Sequence, residues 1–249
     1  LSTIKIRRNA QPFVIFFLDE TKKIMRTYKL LNYFINMIKT KNFYTKKSIN
    51  QIIDEKYAVF FLHFQPENTT TPQGSHFSDQ LLAFDMIVQA IPENMILYVK
   101  EHPAQYTEVA YDVHFRSVYF YEHMLKHKNV RFLSQNISTE KILNQAQYIF
   151  SINGSITWES IIINKPAFTF GWYWYSICKS ALIVDSVDAI KKQIIVCDEK
   201  TSEEVTKDRE ELIEILYEQS VNASPNAYSL DYTNSNFDYE KSINTLAQA

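Results

Sequence analysis

From Tyr57 to Phe170, short runs dense in apolar residues alternate with stretches whose apolar positions recur every three or four residues. The runs are "YAVFFLHF", "MILYVK", "NVRFLS", "YIFS" and "PAFTF". Near-continuous hydrophobicity over four to eight residues is the pattern of strands covered on both faces. The stretches between them predict helices: Ser78 to Ala90 with Ser78 as N-cap and Pro92 closing it, about Val113 to His127, "STEKILNQAQ" opened by Ser138, and Ser155 to Asn164. Strand and helix in strict alternation predict an α/β fold, a Rossmann-like doubly wound parallel sheet whose ligand sites lie beyond the carboxyl ends of the strands.

Outside that region the pattern is less regular. "FVIFFL" (Phe13 to Leu18) reads as a buried strand: it is far short of the roughly 20 residues a membrane span needs, and acidic residues and lysines follow it rather than a cleavage site. Thr21 to Ile49 is helical in pattern, and Ile24, Tyr28, Leu31, Phe34, Ile35 and Ile38 predict the buried face of a packed surface helix. Past Ile183, "VDSVDAIKKQIIVCDEK" supplies a last short strand, "TSEEVTKDREELIEILYEQ" a helix capped by Thr201 or Ser202, and the Asn-, Ser- and Tyr-rich tail a loop with a short terminal helix. Three units are expected: residues 1–56 as a strand and helix that are a remnant of, or link to, another domain; 57–199 as the Rossmann-like domain; and 200–249 as C-terminal helices and tail.

Composition narrows the function classes. A chain that is 46% hydrophobic and 22% charged folds into a globular core. Its formal net charge of −2 argues against a protein that wraps a nucleic-acid backbone. Cys178 and Cys197 have neither disulfide-scaffold nor metal-ligand spacing, which suits a reducing, cytoplasmic compartment. His123 and His127 stand four apart, with His114 nearby, but no acidic residue of a zinc-protease helix lies between them, so no structural metal is expected.

Three polar clusters sit at predicted strand ends. In "HFQPE", His63, Gln65 and Glu67 alternate and face one side if the chain stays extended; the polar loop after them is a candidate cover or a plain solvated connection. In "KEHP", the residue before Pro103 is biased toward an extended backbone, so Lys100 and His102 would point together at an anion; a loop histidine satisfied by its neighbours is the alternative. In "SINGS", Gly154 is one of only three glycines in the chain. A glycine there lets a phosphate or carboxylate approach the unpaired N–H groups of the following helix. Ser155 would add a hydroxyl, and Glu159, four residues on, an acceptor for sugar hydroxyls. An Asn-Gly hairpin with a solvated Glu159 is the competing account. Glu67 or Glu101 could act as a base, and "WYWYS" could stack on a base or sugar.

Taken together, "HFQPE", "TTTPQG", "DQLLAFDMIVQAIPENMILYVKEHPAQ", "VRFLS" and "SINGSITWESIIINKPAFTFG" resemble the capsule polysaccharide biosynthesis family, whose better-characterised members transfer 3-deoxy-manno-octulosonic acid (Kdo) from CMP-Kdo. The resemblance implies a GT-B glycosyltransferase of a capsular or surface polysaccharide, with this chain corresponding to the C-terminal nucleotide-binding half. By it, Lys100, His102 and Pro103 meet the donor phosphate or carboxylate, Ser151, Asn153, Gly154 and Ser155 support the phosphate, and Glu159 binds the ribose. His63, Gln65 and Glu67 face the cleft, with His63, Glu67 or Glu101 as catalytic candidates. The implied ligands are a nucleotide sugar, CMP-Kdo first, and a glycan or glycolipid acceptor, with no tightly bound cofactor and the need for a divalent ion open. The implied location is cytoplasmic, with peripheral contact to the inner membrane face or to capsule-assembly partners. Nucleotide-sugar epimerases share the His-Pro and Ser/Gly turns, so an epimerase-like enzyme is one alternative. The residues ahead of Tyr57 are too few for a second Rossmann domain of about 100–150 residues, so a non-catalytic nucleotide-binding fragment is another.

Overall fold

The computed structural model describes residues 27–28, 31–52, 56–65, 67, 70–106 and 116–219. The expected strand at Phe13–Leu18, residue His114 and the terminal helix lie outside them. Among the described residues, seven strands form one parallel sheet: β1 (Ser48–Ile49), β2 (Tyr57–Phe61), β3 (Ile96–Lys100), β4 (Val130–Leu133), β5 (Tyr148–Ser151), β6 (Ala167–Thr169) and β7 (Ala181–Ile183). Their spatial order is β1-β4-β3-β2-β5-β6-β7. Apart from the two-residue edge strand β1, this is the doubly wound order. The chain runs from β2 outward through β3 to β4 and then returns to β5 on the other side of β2. At that reversal the connections after β2 and β5 part, and a crevice opens at the carboxyl ends of the two strands.

Both faces of the sheet are covered, as the continuous apolar runs require. Ala58, Phe60, Leu97, Val99, Phe132, Phe150 and Phe168 point to one face. There they meet α1 (residues 31–47), α2 (Gln80–Ala90), α3 (Val118–Met124) and α6 (Val187–Glu199), through Tyr44, Phe84, Ile87, Tyr121, Met124 and Ile190. Tyr57, Val59, Phe61, Tyr98, Leu133 and Ile149 point to the other, against α4 (Thr139–Gln145) and α5 (Ser155–Ile162), through Ile142, Leu143 and Ile156. A third cluster, Ile161, Tyr175, Cys178, Val205 and Leu212, seats α7 (Ser202–Gln219) against α5.

Helix starts follow local chemistry. Ser117, Ser138 and Ser186 each accept a backbone N–H two or three residues into α3, α4 and α6. Thr201 and Glu204 cap α7 reciprocally, at 3.2 Å and 2.8 Å.

Three expectations are corrected. The N-cap of α2 is Asp79, which accepts from the Leu81 N–H at 3.1 Å, because Ser78 is used in a preceding 3-10 turn. The segment expected as a last strand is α6: Ser186 caps it, and Val187, Ile190, Ile194 and Cys197 recur at helical spacing against the core, while the last strand is the earlier Ala181–Ile183. In α1 the buried face is Met37, Thr40, Phe43 and Tyr44; Leu31, Phe34, Ile35 and Ile38, expected to be buried, face outward.

Candidate functional site

A cleft of about 390 Å³ opens at the reversal point between β2 and β5. Its walls come from the chain after β2 (His63, Glu67), the end of β3 (Lys100 to Pro103), the β5–α5 turn (Asn153 to Ile156), Glu159 and the pair Tyr173 and Trp174. The "SINGS" segment passes from strand through a turn into a helix, which removes the hairpin account.

Past Leu62, whose N–H still bonds the Lys100 carbonyl at 2.9 Å, two glutamine amides among the described residues take the place of a ladder. Gln80 accepts the His63 N–H at 3.0 Å and donates to the His63 carbonyl at 3.2 Å. Gln105 does the same for Gln65, at 2.9 Å and 3.2 Å. Buried backbone groups need such partners.

His63 is buried, and its Nε2 accepts the Ile152 N–H at 3.2 Å and lies 3.1 Å from Ser151 Oγ, which in turn accepts the Gly154 N–H at 3.0 Å. An Nε2 that accepts N–H groups carries no proton, so the ring is neutral with its hydrogen on Nδ1. Burial, assisted by His102 and Arg116, pushes its pKa down to about 3. The glycine follows from this contact: a Cβ on Gly154 would stand 2.8 Å from His63 Cε1 and 3.0 Å from Nε2. The backbone there is ordinary extended chain, φ −81°. The glycine expected to admit a ligand is therefore required by the imidazole. Ser151 belongs to the same clip and does not line the cleft.

Glu101, expected as a base, is fully buried and held on every side. Arg116 Nε pairs with Oε2 at 2.7 Å, the Tyr121 hydroxyl donates to Oε2, and the His102 N–H donates to Oε1 at 2.8 Å. Burial, then the Glu101 charge, raises the Tyr121 pKa well above its ordinary value. The same guanidinium donates to Gln65 Oε1 at 3.1 Å and to the His63 carbonyl at 2.8 Å, and stacks 4.5 Å over Phe120. Gln65 therefore turns into this knot, donates to the Ser78 carbonyl at 2.7 Å, and does not line the cleft; the extended geometry that would align it with His63 and Glu67 is not kept.

Lys100, expected beside His102 on an anion, is mostly buried and donates its ammonium to the Ile137 carbonyl; burial lowers its pKa. His102 itself is exposed to the cleft. Its Nδ1 accepts the Ala104 N–H at 3.2 Å, which leaves Nε2 as the protonated nitrogen of the neutral ring and a donor to whatever enters. Across the cleft, Ser155 and Glu159 are exposed, with Ser155 Oγ donating to Glu159 Oε1 at 2.9 Å. Gly154 offers no side-chain cap to α5, and Tyr175 Oη donates to its carbonyl at 2.8 Å. Trp174 lies edge-on to Trp158 at 5.1 Å between ring centroids. Glu67 lines the cleft and is exposed.

The structure thus brings His63, Glu67, Lys100, Glu101, His102, Pro103, Asn153, Gly154, Ser155 and Glu159 to one cleft, and leaves Gln65 and Ser151 behind its walls. Sequence reasoning missed Arg116, Gln80 and Gln105, which brace the cleft, and Thr139, which lines it. Arg116 follows a tyrosine-rich stretch with no motif of its own; only the need of a buried Glu101 for a cation could have pointed to it. Among the described residues no three His, Cys, Asp or Glu side chains gather as a metal-binding group, and no helix is long and apolar enough to cross a membrane.

Comparisons with solved structures give distant likenesses. The UDP-GlcNAc 2-epimerase of Methanocaldococcus jannaschii is 14% identical with a TM-score of 0.44, covering 72% of this chain and 49% of that one. The beta Kdo 2,4 transferase KpsC of Thermosulfurimonas dismutans is 12% identical with a TM-score of 0.39, covering 70% and 54%. WaaG, a glycosyltransferase involved in lipopolysaccharide biosynthesis, is 15% identical with a TM-score of 0.38, covering 70% and 46%. The chain spans about half the length of these proteins. No curated protein matches it. Residues 20–179, well over half of the chain, match the model of one family, and the chain belongs to the capsule polysaccharide biosynthesis proteins.

Proposed function

We propose that this chain is the donor-binding half of a nucleotide-sugar-dependent glycosyltransferase of capsular polysaccharide biosynthesis, with CMP-Kdo as the donor. The observation that carries the reading is the convergence of His102, Ser155 and Glu159 on one cleft at the reversal point of the sheet. In this reading the donor phosphate lies between His102 Nε2–H and the first N–H groups of α5, where the helix dipole also favours negative charge. Glu159, oriented by Ser155, accepts from ribose hydroxyls, and Tyr173 and Trp174 supply an apolar surface for the base.

The chemistry follows from charge. As the bond from the anomeric carbon to the phosphate oxygen breaks, its electron pair leaves with CMP, and the donors at His102 and α5 stabilise that charge. An acceptor hydroxyl then bonds to the anomeric carbon and gives up its proton. Glu67 is the carboxylate left to receive it, since Glu101 is committed to Arg116.

Calorimetric titration with CMP, UDP and GDP, repeated on His102→Ala, tests this. Binding of CMP in preference to the other two, weakened tenfold or more in the variant, supports the reading. Preference for UDP, with turnover of nucleotide sugar in the absence of an acceptor, would replace it with the epimerase-like one.

A further inference from the structure

Helix α1 is apolar on two faces. The inner face, with Met37, Phe43 and Tyr44, packs on the core. The outer one carries Leu31 at 58% exposure, Phe34 at 39%, Ile35 at 41% and Ile38 at 52%. A surface helix of a globular protein ordinarily turns charged and polar residues outward. At 3.6 residues per turn these four side chains form one stripe, and Lys39 and Lys41, both exposed, fall on its two opposite edges. Every charged residue between 21 and 49 is Lys or Arg, in a chain whose net charge is −2. An outward apolar stripe edged by lysines on a wholly basic segment is complementary to a surface that is apolar beneath and anionic above.

We propose that α1 lies in the plane of an anionic lipid bilayer, with Leu31, Phe34, Ile35 and Ile38 in the acyl boundary and the flanking lysines at the headgroups. Lysine stems are long enough to follow the stripe inward while their ammonium groups stay at the phosphates. A second copy of the chain is the weaker occupant, because a two-fold contact through this face sets its lysines against the same lysines. The placement has a consequence that rests on the proposed transferase reading. Tyr44, on the inner face, donates to the Leu133 carbonyl at 2.6 Å and accepts the Glu101 N–H at 2.9 Å. The helix is therefore tied to the sheet end at which the cleft opens, and docking through it would bring that cleft toward a lipid-linked acceptor.

The test is co-sedimentation of the full chain with phosphatidylglycerol–phosphatidylcholine vesicles and with pure phosphatidylcholine vesicles. Leu31→Ser/Ile38→Ser and Lys39→Glu/Lys41→Glu variants are measured beside it, and unchanged melting temperatures establish that they fold. Partitioning to the anionic vesicles, reduced about tenfold or more in each variant and by added salt, is expected. Equal binding to neutral vesicles, no binding at all, or a concentration-dependent dimer abolished by the same variants would overturn the proposal. CMP titration of the variants keeps the two readings apart, since neither pair of residues lines the cleft: loss of vesicle binding with nucleotide binding intact concerns the helix alone.

Discussion

At and behind one wall of the cleft, Glu101, Arg116, Gln65 and Gln80 are buried and bond one another or the nearby backbone. On the other, Ser155, Glu159 and Trp174 are exposed, and the two polar side chains bond only each other among the contacts described. Both walls carry the residue types of an active site. The difference lies in what remains uncommitted: the first wall spends its charge and hydrogen bonds on holding the ends of β2 and β3 and the start of α2 together, while the second presents donors and acceptors to the cleft. Glu101 and Glu159 are the same side chain, yet the first is committed to Arg116 and Tyr121 while the second stays exposed at the cleft.

The largest way to break the comparison is at Arg116. Arg116→Met leaves the Glu101 carboxylate buried without its cation, and removal of one partner of a buried pair typically costs about 3–5 kcal/mol. Urea unfolding should show a loss of that order, and Glu101→Gln a loss of the same kind. A loss below about 1 kcal/mol in both would mean the knot is not the framework described.

Next in size is Gly154→Ala. The added methyl would meet a ring pinned by two walls, at 2.8 Å, and overpacking of this kind costs about 1–3 kcal/mol. The cost should largely vanish in a His63→Ala background, a coupling that a double-mutant cycle reads directly. If the penalty persists there, the glycine is required for some reason other than the imidazole.

His63 also sets an acid dependence. Its folded pKa, about 3, lies below the ordinary value of about 6.5, so between those pH values the unfolded chain binds a proton that the fold does not. Stability contributed by the neutral ring is complete above about pH 6.5 and falls as the pH drops toward 3, by at most about 1.4 kcal/mol per pH unit. His63→Gln should flatten the stability profile in that window relative to the unmodified chain. Parallel profiles would mean that the ring titrates normally.

The parts of this design differ in how far the sequence discloses them. Five strands and their order of burial can be read from apolar runs such as "YAVFF" and "YIFS", because a parallel sheet covered on both faces leaves a local signal. The gathering of His102 and Ser155 is legible too, since strand ends of a doubly wound sheet share one edge. What the sequence conceals are partnerships set by tertiary contact. Arg116 meets Glu101 across fifteen positions of chain, and His63 meets Ser151 across eighty-eight, so nothing near either residue declares its partner. In α1 the periodicity is real, yet two apolar stripes share one helix and the pattern does not say which faces inward.

The smallest expected effect on stability sharpens the comparison most. Ser155→Ala and Glu159→Gln remove or weaken a hydrogen bond between two exposed side chains, so unfolding free energies should stay within about 0.5 kcal/mol of the unmodified chain. If the open wall is where the donor binds, each should nevertheless weaken CMP about tenfold, which corresponds to about 1.4 kcal/mol. Arg116→Met reverses that pattern, with a large stability loss and an affinity change that follows only from the disturbed fold. Equal, small effects of all three substitutions on CMP affinity would place the nucleotide elsewhere. A change at Glu159 alone, with Ser155→Ala silent, would show that the carboxylate needs no orienting hydroxyl and that the 2.9 Å bond between them is incidental to binding.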